Sequence, residues 1–456
     1  MNEKTPSWGI TPVPERLRVL GLLDLTLLWG NLSISLLVIV AAAGLVPMLS
    51  LKQALLAILI GGVVGNVLLG LAAMIGADAR VPGMVVLRAP LGTRGSYAPT
   101  LLNVAQNLGW STFELIIIST AAAALSERVF GFRDRWLWAL LFGAVSLGLG
   151  LLGPIGFVRR YVRKFAVWAV AASIVYLTWW AFDKANLHAL WHGHGSGGLT
   201  IGQGVDLVLA SIISWTPLAA DYTRFARRRG SAFVGAGVGY LLPTVWGFGL
   251  GAVLVLARNL SDPAQIPSAV ASGSALAVVA LLMLTVDESD EAFADIYSTA
   301  VSIQNVLPRL SQRLLIVAVS AVATLLAIVI DLRSYQSFLL LLGSVFVPLF
   351  GVLLADWVLA GARYGERDFF SGPAIRIEQL TAWVIGFGLY QWLSPQGPRW
   401  WTDQFSNLDP GHASWTASLP SFAAAFVLAT VAGLLLPREN RARASRGSRE
   451  PLARPR

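Results

Sequence analysis

Apolar runs near the length needed to cross a bilayer, about 20 residues each, recur along this chain from end to end. Twelve are readable, at roughly 20–48, 53–77, 98–125, 136–153, 162–182, 205–223, 232–257, 268–304, 314–330, 335–361, 378–394 and 417–436. None shows the short period-two alternation of a membrane β-barrel strand. Backbone polar groups in hydrocarbon have to be satisfied within the segment, so runs of this length fold as helices. The sequence predicts an all-α polytopic membrane protein with twelve transmembrane helices. Composition agrees: 13% of residues are charged, against about 25% in a soluble chain. With no cysteine, disulfides and thiolate metal sites are excluded.

The net charge of +9 invites a nucleic-acid reading, and its distribution argues against one. With the N-terminus inside and twelve spans, inner segments hold 26 of the 34 Lys and Arg, and outer loops hold eight. Arg159, Arg160, Arg163, Lys164, Arg224, Arg227, Arg228, Arg229 and seven arginines after Pro437 carry much of that excess. This is the positive-inside pattern, and it places both termini in the cytoplasm. The expected organisation is a cytoplasmic segment 1–18, one transmembrane domain 19–436 and a basic tail 437–456 lying near anionic lipid. The opening "MNEKTPSWGITPVPERLR" lacks the early apolar core of a cleavable signal peptide. His188, His192 and His194 are spaced like metal ligands. No carboxylate or fourth histidine stands beside them, so the segment reads as a solvated, Gly-rich loop.

Two runs are interrupted by polar residues. The first contains "LLWGNLSIS", with Trp29, Gly30, Asn31 and Ser33. The sixth contains "ASIISWTPLAADYTRF", with Ser211, Ser214, Trp215, Thr216 and Pro217. Pro217 removes a backbone donor inside the run. The interruptions lie about 185 residues apart, and Glu114 of the third run and the acids of the eighth repeat a similar offset. Paired broken helices in corresponding halves point to an inverted-repeat transporter. The halves are expected at about 19–183 and 204–361, with two further helices over about 378–436.

The eighth run, "LLMLTVDESDEAFADIYSTAVSIQ", holds Asp287, Glu288, Asp290, Glu291 and Asp295. One acid at the centre of a membrane helix costs about 2.5–3.5 kcal/mol on insertion scales. At 100° per residue the five fall within an arc of about 160°. Val286, Ser289, Ala292 and Phe293 occupy the rest of the turn. The acids form a face that has to look into the protein. Asp221 and Arg224 read as an i, i+3 ion pair or a cap. Asp24, Asp206 and Asp356 fall near predicted helix ends and read as interfacial. One enzyme class competes: "DESDEAFAD" loosely resembles the Asp-rich magnesium–diphosphate motif of membrane prenyltransferases. The second Asp-rich motif those enzymes need is not found.

The segments "LLWGNLSIS", "RAPLGTRGSYAPTLLNVAQNLGWSTFE", "SWTPLAADYTRFAR" and "DEAFADIYSTAVS" resemble the bacterial nucleobase–cation symporter family, which includes cytosine permease and a hydantoin transporter. The look is nearest to its hydroxymethylpyrimidine, or thiamine-precursor, branch. The resemblance covers nearly the whole chain to about Pro437. It implies a five-plus-five inverted-repeat core with discontinuous helices 1 and 6, plus two C-terminal helices. It also implies import across a bacterial inner membrane of a small planar nitrogen heterocycle with Na⁺ or a proton, by a protein that can act as a monomer. No cofactor beyond that ion is expected.

The resemblance also implies a site. Trp110 matches the family's stacking tryptophan, and Asn107 and Glu114 share its helical face. A carboxylate at Glu114 would accept from an exocyclic amine and repel a carbonyl edge. Asp295 stands where the family has a substrate-binding asparagine. With Asn31, Ser211, Ser214 and Trp215 these residues make up the expected substrate set. Leu27 and Gly30, through their carbonyls, with Val286, Ser289, Asp290 and Glu291 make up the expected cation set, since hard oxygens suit a hard cation. A carboxylate at Asp290 in place of the family's hydroxyl could instead carry a proton. One departure stands out: Ile212 occupies the place of the family's second aromatic, and the aromatic here is Trp215.

Overall fold

The computed structural model describes residues 9–157, 167–183, 185–260, 265–330, 335–406 and 416–436. Among them all regular structure is helical, apart from one isolated parallel bridge between Leu20 and Ala226. Arg159, Arg160, Arg163, Lys164, Lys184 and the tail from Pro437 lie outside the described residues.

The first apolar run folds as two helices, α1 (Leu22–Asn31) and α2 (Leu36–Ala41), and the chain bends by 54° at the break. Then come α3 (Leu51–Ala79), two single-turn helices, α4 (Gly83–Val86) and α5 (Arg88–Leu91), and the 34-residue α6 (Tyr97–Phe130). The first half closes with α7 (Arg135–Phe157) and α8 (Val167–Asp183). A short α9 (Leu187–His192) leads to α10 (Ile201–Ile213) and α11 (Thr216–Thr223), which differ from the expected sharp break: Ser214 and Trp215 keep right-handed helical dihedrals, and 201–223 runs as one span with a two-residue interruption. After α12 (Arg229–Arg258) and α13 (Gln265–Ala271), the acid-bearing run folds as α14 (Ala275–Asp287) and α15 (Ser289–Val306), interrupted at Glu288. The chain ends with α16 (Gln312–Val329), α17 (Tyr335–Leu359), α18 (Glu366–Phe370), α19 (Ile377–Leu393), α20 (Arg399–Ser406) and α21 (Ser418–Leu435).

Eight helices among the described residues are long and apolar enough to cross a membrane, or nine with α1–α2 taken as one bent span. The other three apolar runs are occupied by α8 and α19, of 17 residues each, and by the α14–α15 pair.

Local chemistry sets the helix starts. Ser50 and Gln53 form a reciprocal capping box on α3, and Thr200 and Gln203 form one on α10. Small residues then bring the helices together. A Cβ at Gly61 of α3 would lie 2.8 Å from the Val205 carbonyl of α10, and one at Gly76 would lie 2.5 Å from Ala220 of α11. A Cβ at Gly239 of α12 would lie 2.8 Å from the Thr26 carbonyl of α1. The broken helices are therefore clasped by α3 and α12 at distances only glycine permits.

Asp206, Asp221 and Asp356, buried acids away from the eighth run, hold helix ends and a salt bridge, which corrects the interfacial reading of two of them. Asp206 caps α21: its carboxylate accepts from Ala417 N–H at 2.6 Å, Ser418 N–H at 3.1 Å and the Thr416 hydroxyl at 2.7 Å. Asp356 pairs with Arg376 at 2.6 Å in a buried ion pair, joined by the Tyr364 hydroxyl at 2.8 Å. Asp24 is more ordinary and accepts the Gly21 N–H at the start of α1. Among the described residues Asp221 and Arg224 make no ion pair. Asp221 instead caps α4 through the Gly83 N–H at 2.9 Å, and Arg224 donates to Tyr297 Oη at 2.9 Å and the Gly9 carbonyl at 3.2 Å. The histidine segment is partly helical rather than loop: exposed His188 and His192 lie one turn apart on α9, their rings 4.3 Å apart.

Candidate functional site

The break between α1 and α2 is built from short polar side chains. Ser33 donates its hydroxyl to the Gly30 carbonyl at 3.0 Å, and Ser35 is the N-cap of α2, accepting from Leu37 N–H at 3.0 Å. The first N–H groups of α2 have no intrahelical acceptor. Glu288 supplies one. Its carboxylate accepts the Ser35 hydroxyl at 2.6 Å, Leu36 N–H at 2.9 Å and Leu37 N–H at 3.4 Å. An anion at a helix start is doubly favoured, by the free donors and by the helix dipole.

The remaining acids crowd around this junction. Asn31, the last residue of α1, directs its amide nitrogen to Asp290 at 2.6 Å and to both oxygens of Asp287 at 3.2 Å. Glu114 of α6 lies within hydrogen-bond reach of Glu288 and Glu291, and one carboxyl oxygen from each of the three falls within 4.8 Å of the others. All five acids are at most 5% exposed. No Lys, Arg or His bonds any of them among the described residues. A buried carboxylate left uncompensated costs several kcal/mol, so the cluster depends on protons, a bound cation or a cationic ligand.

The α6 face lies alongside. Asn107, Trp110 and Glu114 are all buried. Their neighbour Gln106 donates to the Ser214 carbonyl at 2.8 Å, at the break between α10 and α11, and to Asn103 at 3.0 Å. Asn103 in turn donates to Ser302 of α15 at 2.9 Å. This chain of amides fixes α6 against α15 and the second break. Trp110 packs edge-on against Tyr335 and Phe338 of α17, at 5.8 and 5.6 Å between ring centroids. Trp215 packs with Trp29 at 6.0 Å and Tyr240 at 5.9 Å. Tyr240 lies within electrostatic reach of Glu114, Glu291 and Asp295, so the aromatic and acidic groups converge.

The structure brings together most residues singled out from the sequence and gives several of them partners within the protein. Asn31, expected on the substrate, holds Asp287 and Asp290. Ser211 and Ser214, expected on the substrate, donate their hydroxyls to the carbonyls of Val208 and Ser211. Ser289 Oγ is buried with no partner among the described residues. The Gly30 carbonyl, expected on a cation, accepts from Ser33, and Leu27 belongs to regular α1. Val286 is 42% exposed at the side chain, and at the α14–α15 interruption the Glu288 N–H donates to the Leu284 carbonyl at 2.9 Å. The expected one-sided acid face is a helix start buried on every side: Ser289, Ala292 and Phe293 are as covered as the acids. Ile212 is fully buried against Gly65 of α3, so the aromatic of the second break is Trp215. Sequence reasoning passed over Gln106, Asn103, Tyr240 and Tyr335. Asn103, Gln106 and Asn107 stand together in an apolar helix, a density of amides that marks the same face.

Comparison with known proteins decides what kind of site this is. Residues 12–372 match the family of permeases for cytosine and purines, uracil, thiamine and allantoin. The chain belongs to this family. It is 24% identical over 387 residues to a cytosine permease of Escherichia coli strain K12, spanning 84% of this chain and 88% of that protein. It is also 24% identical over 366 residues to a hydantoin permease of Microbacterium maritypicum, spanning 76% and 74%. Its fold superposes on a nucleobase-cation-symport-1 transporter in a closed conformation with bromovinylhydantoin bound, with a TM-score of 0.78 at 19% identity over 96% of this chain and 98% of that one. A Na⁺-coupled sialic acid symporter shares the fold at a TM-score of 0.63 and 10% identity over 96% and 93%. The chain is thus a multi-pass nucleobase–cation symporter-family transporter and not an enzyme. The prenyltransferase alternative drawn from the Asp-rich run has no support.

Proposed function

We propose that this permease imports a small planar nitrogen heterocycle, a nucleobase such as cytosine or a thiamine-precursor pyrimidine, by symport with Na⁺ or a proton. The observation that carries the reading is the junction at Asn31. One amide ties Asp287 and Asp290 of the eighth run to the end of α1, so an ion held by those acids acts directly on a helix break. Trp110, Asn107 and Glu114 offer the heterocycle a ring face and two polar edges, with Trp215 and Asp295 nearby. Asp290, helped by Ser289 and the Leu27, Gly30 and Val286 carbonyls, serves the ion, and Glu291, within reach of Glu114, bears on both ion and heterocycle. Alternating access then opens the site to either side through the two interrupted spans. The working protein is a monomer in a bacterial inner membrane, with both termini cytoplasmic and the two C-terminal helices outside a paired core of about 19–361.

A thermal-shift screen of the purified protein tests this. Pyrimidines, purines, hydantoins and thiamine precursors are each tried with Na⁺ or K⁺, at acid and neutral pH. At least one heterocycle should stabilise the protein in an ion- or pH-dependent way, and a screen without any stabilising heterocycle overturns the reading. Reporter fusions after Arg229 and after Pro437 should be cytoplasmic and one within 185–198 external. An external C-terminus overturns the proposed orientation.

A further inference from the structure

We propose that the transported heterocycle presents a hydrogen-bond donor, an exocyclic amino group in particular, to Glu114 and Glu291, and that the site discriminates against rings with a carbonyl in that place. The inference rests on the heterocycle-carrier reading and narrows its substrate class. Its basis is the hydrogen-bonding capacity the protein leaves unspent. Glu114 Oε2 and Glu291 Oε1 are fully buried acceptors with no donor among the described residues. The Asp295 side chain is buried too, at 3% exposed. On the α6 face that carries Trp110, the unspent donor is the Asn107 Nδ2 amide. The site is therefore short of donors on one side and offers one on the other.

The order of these groups along α6 sets the orientation. Asn107 and Glu114 are seven residues apart, about 10.5 Å along the axis, with Trp110 between them. A six-membered ring held at Trp110 meets Asn107 with one edge and Glu114 with the opposite edge. An acceptor, such as an unprotonated ring nitrogen, suits the first edge. With Glu114 and Glu291 ionised, only a donor suits the second, because a carbonyl oxygen there faces carboxylate oxygens and leaves them unpaired. Hydrogen bonds to charged groups are worth about 10- to 150-fold in an equilibrium constant, and sites built around such bonds reject analogues that lack them.

Matched pairs differing by amino against oxo at one carbon provide the test: cytosine and uracil, adenine and hypoxanthine, 4-aminopyrimidine and pyrimidin-4-one. Affinities are measured on the purified wild type and on Glu114→Gln. The wild type should bind the amino member of at least one pair about 10- to 150-fold more tightly. Glu114→Gln, whose amide can donate to a carbonyl, should shrink that preference to a few-fold. If Glu114→Gln is not monodisperse, Glu291→Gln carries the same comparison. Equal or tighter binding of the oxo members to wild type, or a preference the variants leave intact, overturns this inference and leaves the carrier reading standing. Binding of neither class, with no other heterocycle stabilising the protein, overturns both.

Discussion

Glu288 accepts the Leu36 N–H at 2.9 Å, so the start of α2 is capped by a carboxylate from a segment 252 residues further along the chain. The bond joins the break in the first span to the interruption in the eighth. Neither can move independently without exposing the donors of α2 or stranding the acid. A change in the charge of the acids beside Glu288 thereby bears on the break between α1 and α2.

Removing the cap should be measurable in stability. Glu288→Ala leaves the Ser35 hydroxyl and the Leu36 N–H without their acceptor, and each unsatisfied buried donor costs about 1–3 kcal/mol. The apparent melting temperature in detergent should fall clearly. Glu288→Gln keeps one acceptor oxygen and should fall less. Equal melting of wild type and Glu288→Ala would show that the carboxylate does not cap α2.

Asp290 should report the coupling ion. Asp290→Ala frees the Asn31 amide and should reduce ion stimulation of uptake, with a smaller effect on substrate counterflow, which needs no net ion movement. For a sodium-coupled carrier, Na⁺-dependent thermal stabilisation should disappear in this variant. For a proton-coupled one, the wild type should show no sodium effect and uptake should fall as external pH rises. An Asp290→Ala protein with wild-type ion and pH dependence removes Asp290 from coupling.

Trp110 tests the ring-binding assignment. It is 9% exposed and wedged against Tyr335 and Phe338 of α17, so its removal takes away both a stacking surface and a contact with a helix that closes over it. Stacking on one aromatic is worth about 1–3 kcal/mol by analogy with single-strand binders. Trp110→Ala should therefore weaken heterocycle binding by about 5- to 150-fold while the protein stays monodisperse. Unchanged affinity would move the ring elsewhere.

The helical architecture was legible because hydrocarbon imposes one rule on every span, and both polar breaks announced themselves as "WGNLS" and "SWTP". The convergence of Trp110, Glu114 and the eighth-run acids was also legible, since acids in an apolar run have to face inward. The partners were not. The sequence places Glu288 only on an inward face, and its bonds to Ser35 and Leu36 come from the structure, because helix periodicity gives a direction but not what lies in it. Asn31 was assigned to substrate for the same reason. Asp206 and Asp356 were misread as interfacial because they lie near predicted helix ends. A cap for α21 and a partner at Arg376 are supplied from 211 and 20 residues away, and a one-dimensional pattern holds no trace of either.

The Asp356–Arg376 pair separates a structural charge from a functional one. Both side chains are at most 6% exposed, and the guanidinium also donates to the Ala89 carbonyl at 3.1 Å and to Glu378 at 3.0 Å. The pair thus pins the chain before α19 to α17 and α5, away from the acids of the eighth run. Breaking such a pair by removing one partner typically costs about 3–5 kcal/mol, because the other charge stays buried, whereas replacing both with apolar residues of similar volume is often neutral. Arg376→Met should sharply lower the apparent melting temperature. Asp356→Leu combined with Arg376→Met should recover most of the loss. Both proteins, where folded, should keep the wild-type ion dependence of uptake. A double variant no more stable than Arg376→Met would mean that the bonds to Ala89 and Glu378, and not the ion pair, hold this corner. An altered ion dependence would mean that the pair belongs to the coupling machinery.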